Sequence, residues 1–133
     1  MTHVDTSFII DLMREQAKGV RAGATELLQR LEHEDLAQSV FVACELEVGA
    51  LGSVNSARER ERVRRICGSM ALIFPDDRFV ATYGALFQSL AAGVTIPTMD
   101  LLIATIAVVE GAPLVTGNRK HFEPIRGLEI LSY

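Results

Sequence analysis

The chain has no Trp, two Tyr and six Phe, and at 6% aromatic content it is poorly supplied for the base-stacking platforms that bind single-stranded nucleic acid. It has two cysteines, Cys44 and Cys67, in apolar helical patterns without CxxC spacing. That excludes a disulfide framework and the common thiolate zinc motifs, and predicts two buried free thiols. No apolar run is long enough to span a membrane and no basic-then-apolar segment opens the chain. A cytoplasmic protein with no membrane partner is therefore expected. Basic residues are in deficit: 13 Lys and Arg against 17 Asp and Glu give a net charge of −4. This argues against nucleic-acid binding through a globally basic surface. It does not exclude an enzyme that acts on nucleic acid through bound cations, because divalent ions reverse the local sign.

What is present is an ordinary globular balance, 49% hydrophobic and 23% charged over 133 residues. One domain, 1–133, is expected, large enough to bury roughly two-thirds of its unfolded surface without a disulfide or structural metal. A short extended run ends at Asp5, and "SFIIDLM" continues as an apolar helix broken at Lys18-Gly19. Val20, Ala24, Leu27, Leu28 and Leu31 recur at helical spacing to about His33. "AQSVFVA" reads as the second strand, running into the helix "CELEVGAL"; residues 56–70 form another helix with Val63, Ile66, Cys67 and Met70 inward. "ALIFP" is a third strand stopped by Pro75. The following helix starts at Asp76-Asp77 and buries Val80, Tyr83, Gly84, Phe87, Leu90 and Ala91. Thr98 is the expected N-cap of a helix ending at Gly111, apolar nearly all round and hence central. "APLVTGN" and "LEILS" supply a fourth and a fifth strand. Strands alternating with helices predict an α/β fold, a parallel sheet of four to five strands covered on both faces. Ligands of such sheets gather outside the carboxyl ends of the strands, which is where Asp5 stands.

Other acids can reach the same edge. Asp100 opens the most apolar helix, where a first-turn carboxylate suits the dipole but has almost no wet face beside Leu101, Leu102 and Ile103 and calls for a partner or a metal. Glu45 shares a helix face with Gly49 and Gly52, which leave a groove open beside it; Glu47 points the other way and is expected to be solvated or surface-paired. Asn118 follows strand four and offers an amide oxygen, a weaker ligand than a carboxylate, or serves as a plain turn residue beside Gly117. Each residue taken alone has an ordinary structural explanation, as a cap, an exposed glutamate or a turn.

The ordered set "DTS", "ELEVGA", "MDLLIATIA" and "LVTGNRKHF" resembles the PIN-domain family, and most closely its VapC-type toxin ribonucleases, over nearly the whole chain. The resemblance implies a three-layer α/β fold with acids clustered at one edge of a parallel sheet. It implies a divalent-metal endoribonuclease using Mg²⁺ or Mn²⁺, an RNA substrate, a small antitoxin partner and a homodimer. Asp5, Glu45 and Asp100 fall on the family's acidic positions, and these three are the implied metal ligands. Asn118 falls where the family has a fourth acid. Thr116 matches a hydroxyl near the cluster, Thr6 and Ser7 are candidates to hydrogen-bond Asp5, and Arg119 and Lys120 to touch RNA backbone. Two departures stand out. Only Thr2, His3 and Val4 separate Asp5 from the initial Met, so the first strand is short or the start lies upstream. The amide of Asn118 leaves three strong carboxylates, so a second metal would bind weakly or only with substrate.

Three further readings follow from the residues. "ARERERVRRI" carries five Arg and two Glu, and is either an ion-paired helix face or a phosphate-guiding rim. His3, His33 and His121 fit no ligand spacing and are read as structural or exposed. A phosphotransferase of haloacid-dehalogenase type, with Asp5 as nucleophile, wants a second Asp two residues on, where this chain has Ser7. The remaining rival is a PIN-like module that binds RNA or a protein without cutting.

Overall fold

The computed structural model describes residues 1–133. Five short parallel strands, β1 (Thr2–Val4), β2 (Leu36–Ser39), β3 (Ala71–Ile73), β4 (Leu114–Val115) and β5 (Ile130–Leu131), form one sheet in the order β3-β2-β1-β4-β5. The helices between them are α1 (Thr6–Lys18), α2 (Gly23–Arg30), α3 (Val40–Leu51), α4 (Ser56–Cys67), α5 (Phe79–Ser89), α6 (Thr98–Glu110) and α7 (Arg119–Phe122). From β1 the chain winds outward through β2 to β3, then returns past β1 to β4. With right-handed crossovers this reversal puts α1–α4 on one face and α5 and α6 on the other. Helix α1 packs on α2, α3 and α4 and α5 packs on α6, while α3 also reaches α6 and sets Phe41 against Phe79 of α5. Strand β1 is paired on both sides, His3 with Ala37 of β2 and with Leu114 of β4. The point where the winding reverses therefore lies between β1 and β4, where open α/β sheets bind ligands.

The start and stop of α1 follow from its ends. Asp5, in extended conformation, accepts the Phe8 N–H as N-cap; Gly19, at φ 65°, closes the helix in the left-handed region. Phe8, Leu12 and Glu15 are buried at i, i+4 and i+7. Phe8, Leu12, Val4, Val115, Leu101 and Phe122 belong to one core of 18 buried residues. The helix expected at 98–110 is indeed the central one, with Leu101 and every residue from Ile103 to Ala107 buried.

Several expected boundaries and faces are corrected. The β-branched run at 40–43 is the first turn of α3, not strand: Ser39 ends β2 and its hydroxyl accepts the Val42 N–H, so a capping side chain overrides β propensity. Helix α2 covers 23–30, not 20–33; Val20 is exposed. Thr98 is the first residue of α6 and Pro97 the cap, with no side-chain cap bond. On α5 the buried residue is Leu86, whereas Val80, Gly84 and Phe87 are exposed. Cys67 is buried as expected but Cys44 is exposed; both are free. No helix is long and apolar enough to cross a membrane.

Helix α2 has no side-chain cap of its own at Ala22. The carboxylate of Glu15, from α1, replaces it: Oε1 accepts the N–H groups of Ala22 at 2.8 Å and Thr25 at 3.0 Å, and Oε2 that of Ala24 at 3.1 Å. Burial acts to raise this carboxyl, but the bonds donated by Thr25, Ala22 and Ala24 outweigh it and hold the pKa below its ordinary value. His3 is buried, and its Nε2 has no partner. Burial pushes its pKa below 6.5 against the attraction of Glu110, so it is a neutral core residue. His33 is exposed beside Glu32.

Candidate functional site

Asp5 is the first residue past β1, its N–H bonded to Val115 O at 3.0 Å, and Thr116 is the first past β4. Strand pairing thus sets the two side by side. Asp5 is 4% exposed, yet both carboxylate oxygens are engaged: Oδ1 accepts Ser7 Oγ at 2.7 Å and Phe8 N at 3.0 Å, and Oδ2 accepts Thr116 Oγ1 at 2.6 Å. Burial raises its pKa. The three hydrogen bonds, from Thr116, Ser7 and Phe8, work to lower it, and the nearby charge of Asp100 adds to the rise. A buried carboxylate with a like-charged neighbour is costly for the fold and a recurrent mark of a functional site.

The other expected residues are accounted for in turn. Glu45, one helix away on α3, receives the Thr6 hydroxyl at 2.6 Å. Thr6 therefore ties Glu45 to the residue beside Asp5 and does not bond Asp5 itself, while Ser7 does. Gly49 leaves an open groove next to Glu45, about 350 Å³, walled by Ile10 and Met13 of α1 and by Arg62 and Val63 of α4; Gly52 caps α3 outside this groove. Glu47 pairs with Arg60 at 3.0 Å on the surface. Asp100, in the first turn of α6, is close enough to Asp5 for its charge to be felt there. Its Oδ2 lies 2.8 Å from His121 Nδ1. His121 is exposed, as its lack of ligand spacing predicts, yet it touches a candidate site residue. Nothing in the 20 residues between it and Asp100 announces the contact, which arises because α7 packs on α6.

Asn118 is exposed and its amide side chain makes no hydrogen bond; its backbone N–H donates to Thr116 Oγ1 at 2.9 Å and its backbone carbonyl accepts the His121 N–H at 3.0 Å. Arg119 is taken up by Glu123 at 3.1 Å, whereas Lys120 is exposed and unpaired. On α4 the arginine run is largely ion-paired. Arg62 meets Glu59 at 2.6 Å and also donates to Met13 O, and Arg64 and Arg65 share Glu61. Arg58 makes no ion pair.

The turn after β4 is braced from behind. Gly117 N donates to Ser7 Oγ at 3.0 Å, and Tyr133 Oη donates to Asp11 Oδ2 at 2.5 Å while its ring packs edge-on against Phe8. A Cβ at Gly117 would lie 2.6 Å from Tyr133 Oη and 3.0 Å from Asp11 Oδ2. Gly117→Ala is therefore expected to dislodge the tyrosine and cost about 1–2 kcal/mol, read as a fall in thermal midpoint. A midpoint equal to the parent's would mean the tyrosine moves aside freely. No local pattern marks this brace, since Asp11 and Tyr133 are 122 residues apart.

Donor chemistry at this edge suits a hard divalent cation: Asp5, Glu45 and Asp100 offer carboxylate oxygens, the ligands such ions prefer. Asp5 and Asp100 also repel one another, a cost that a cation would relieve. The side chains are not drawn into a finished coordination sphere, however. No three His, Cys, Asp or Glu side chains converge closely enough to enclose an ion.

These features define a small all-parallel α/β domain with a buried, hydroxyl-buttressed carboxylate at the switch point of its sheet. The chain belongs to the PIN domain family, whose pattern it matches over residues 3–127. It is 30% identical to Ribonuclease VapC1 of Haemophilus influenzae over 127 residues, 95% of this chain and 92% of that protein. Its fold superposes with a TM-score of 0.88 on VapBC2 from Rickettsia felis bound to a promoter DNA fragment, at 25% identity over 99% of this chain and 98% of that one. For VapBC-1 from nontypeable Haemophilus influenzae the score is 0.84, at 26% identity over 98% and 96%.

Proposed function

We propose that this chain is a divalent-metal-dependent endoribonuclease, the toxin of a toxin–antitoxin pair. The observation that carries the reading is Asp5: a nearly inaccessible carboxylate at the sheet's switch point, held by two hydroxyls and a backbone N–H, with Asp100 repelling it from the facing helix. Its similarity to a protein named a ribonuclease supports the reaction class, and its fold likeness to VapBC complexes supports a small antitoxin partner.

In this reading Asp5, Glu45 and Asp100 hold Mg²⁺ or Mn²⁺. When bound, the ion supplies neutralisation of the phosphodiester charge and activation of water for in-line attack. The chain's own residues set the stage. Ser7 and Thr116 fix the rotamer of Asp5, Thr6 fixes Glu45, and the Gly117 turn keeps Thr116 in place. Lys120, exposed and unpaired two residues past Asn118, is the cation available to RNA phosphates. Asn118 contributes at most a neutral amide.

The test is incubation of the purified chain, freed of any inhibitor, with a mixed structured RNA pool in Mg²⁺ or Mn²⁺. Discrete cuts that vanish in EDTA are the expected result. Intact RNA with both metals and a folded protein would replace this reading with that of a non-cutting RNA- or partner-binding module.

A further inference from the structure

His121 carries more structural constraint than an exposed residue needs. Its backbone N–H donates to Asn118 O at 3.0 Å, and the N–H of Asn118 donates to Thr116 Oγ1, the same hydroxyl that donates to Asp5. The next residue, Phe122, is 1% exposed in the core. The backbone at 121 is thus pinned on both sides, to the candidate site and to the hydrophobic core. From there the ring reaches across to α6, with Nδ1 at 2.8 Å from Asp100 Oδ2. The carboxylate it meets is only 20% exposed, unlike the carboxylates of the surface ion pairs of Arg60, Arg64, Arg78 and Arg119, which are 42–53% exposed. Asp100 Oδ1 accepts no hydrogen bond from the protein.

Resting on the metal-dependent reading above, we propose that His121 is a positioning residue: its Nδ1–H holds Asp100 by Oδ2 and so presents Oδ1 as the ligand oxygen. The physical need is clear from the charges. Asp5 and Asp100 repel each other, and a first-turn aspartate on a helix has rotamers that turn it to solvent. A donor fixed to a pinned backbone selects one rotamer before any cation arrives, and outer partners that orient ligands are commonly worth 10–100-fold in metal affinity. The sheet end therefore holds two matching arrangements: Ser7 and Thr116 orient Asp5, and His121 orients Asp100.

The experiment is direct Mn²⁺ titration of the full chain, followed by electron paramagnetic resonance of the free ion, for the parent, His121→Ala, His121→Asn and His121→Gln, with cleavage kinetics alongside. An asparagine side-chain N–H falls near the place of Nδ1, whereas that of glutamine falls near Nε2. His121→Ala is expected to weaken Mn²⁺ binding about 10–100-fold and to lower kcat with little change in KM for RNA, at an unchanged melting temperature. Asn should recover most of the loss and Gln little. Parent-like Mn²⁺ affinity in His121→Ala, or equal rescue by Gln and Asn, overturns the proposal. A parent protein that binds no Mn²⁺ overturns both this and the metal-dependent reading. If the parent binds Mn²⁺ but cuts no RNA, only the nuclease reading falls, and the affinities still decide the role of His121.

Discussion

Asp5→Asn is expected to lower RNA cleavage by at least about 10²-fold while leaving the melting temperature unchanged or slightly raised. The two halves of this result come from different properties of one side chain. As a helix cap, Asp5 is replaceable, because asparagine caps about as well as aspartate and its amide oxygen can keep the Phe8 N–H and the Ser7 hydroxyl. As a charge, it is a burden on the fold. Burial, with Asp100 adding to it, pushes its pKa up despite the bonds from Thr116, Ser7 and Phe8. A raised pKa means that the folded state binds the proton more tightly than the unfolded state does, so its ionised form costs stability as pH rises above 3.8. Removing the charge relieves that cost and removes the ligand together. Activity measured on an RNA pool, with melting curves on the same samples, decides the matter. Cleavage that survives would return Asp5 to the status of a cap. A collapse in melting temperature would mean that the carboxylate is there for the fold.

Glu15→Ala is expected to destabilise the domain by about 2–3 kcal/mol, a fall in melting temperature of roughly 8–12 °C. Three backbone N–H groups of α2 point at this one carboxylate, and α2 has no cap of its own to take over. The loss exceeds that of an ordinary cap because the acceptor is charged and little exposed. The sign of the pH dependence follows. The pKa of Glu15 is held below its ordinary 4.5 in the fold, so its contribution is fully present above that value and is lost as pH falls through the folded pKa. Glu15→Gln should keep part of the stability at neutral pH and flatten the acid limb of the stability profile. A melting temperature within a degree or two of the parent's in Glu15→Ala would refute the capping account.

The sequence alone determined the class of the fold and marked the acids as candidates. Alternating strands and helices imposed a parallel sheet. The apolar surround of residues 101–106 required α6 to be central, and Gly19 and Gly111 ended their helices as left-handed caps. Asp5, Glu45 and Asp100 stand out as a set, because each alone has an ordinary explanation and only their order along the chain resembles the family's acidic positions. The end of strand β2 is hidden in the sequence because the β-branched run 40–43 carries a strand preference that one hydroxyl, Ser39, defeats. The inner face of α5 is hidden because its outer face is also apolar, with Val80 and Phe87 exposed, so periodicity does not separate the two.

Only the tertiary structure decided which partner each polar side chain takes. It gave Thr6 to Glu45 and Ser7 to Asp5, Glu15 to the open end of α2, Tyr133 to Asp11 across 122 residues, and His121 to Asp100. The physical reason is range. Hydrophobic periodicity, caps and glycines act within a few residues and leave their mark in the local pattern. A hydrogen bond between two side chains depends on distance and direction to within a few tenths of an ångström, and those are fixed only when β1 and β4 pair and α6 and α7 close over their ends.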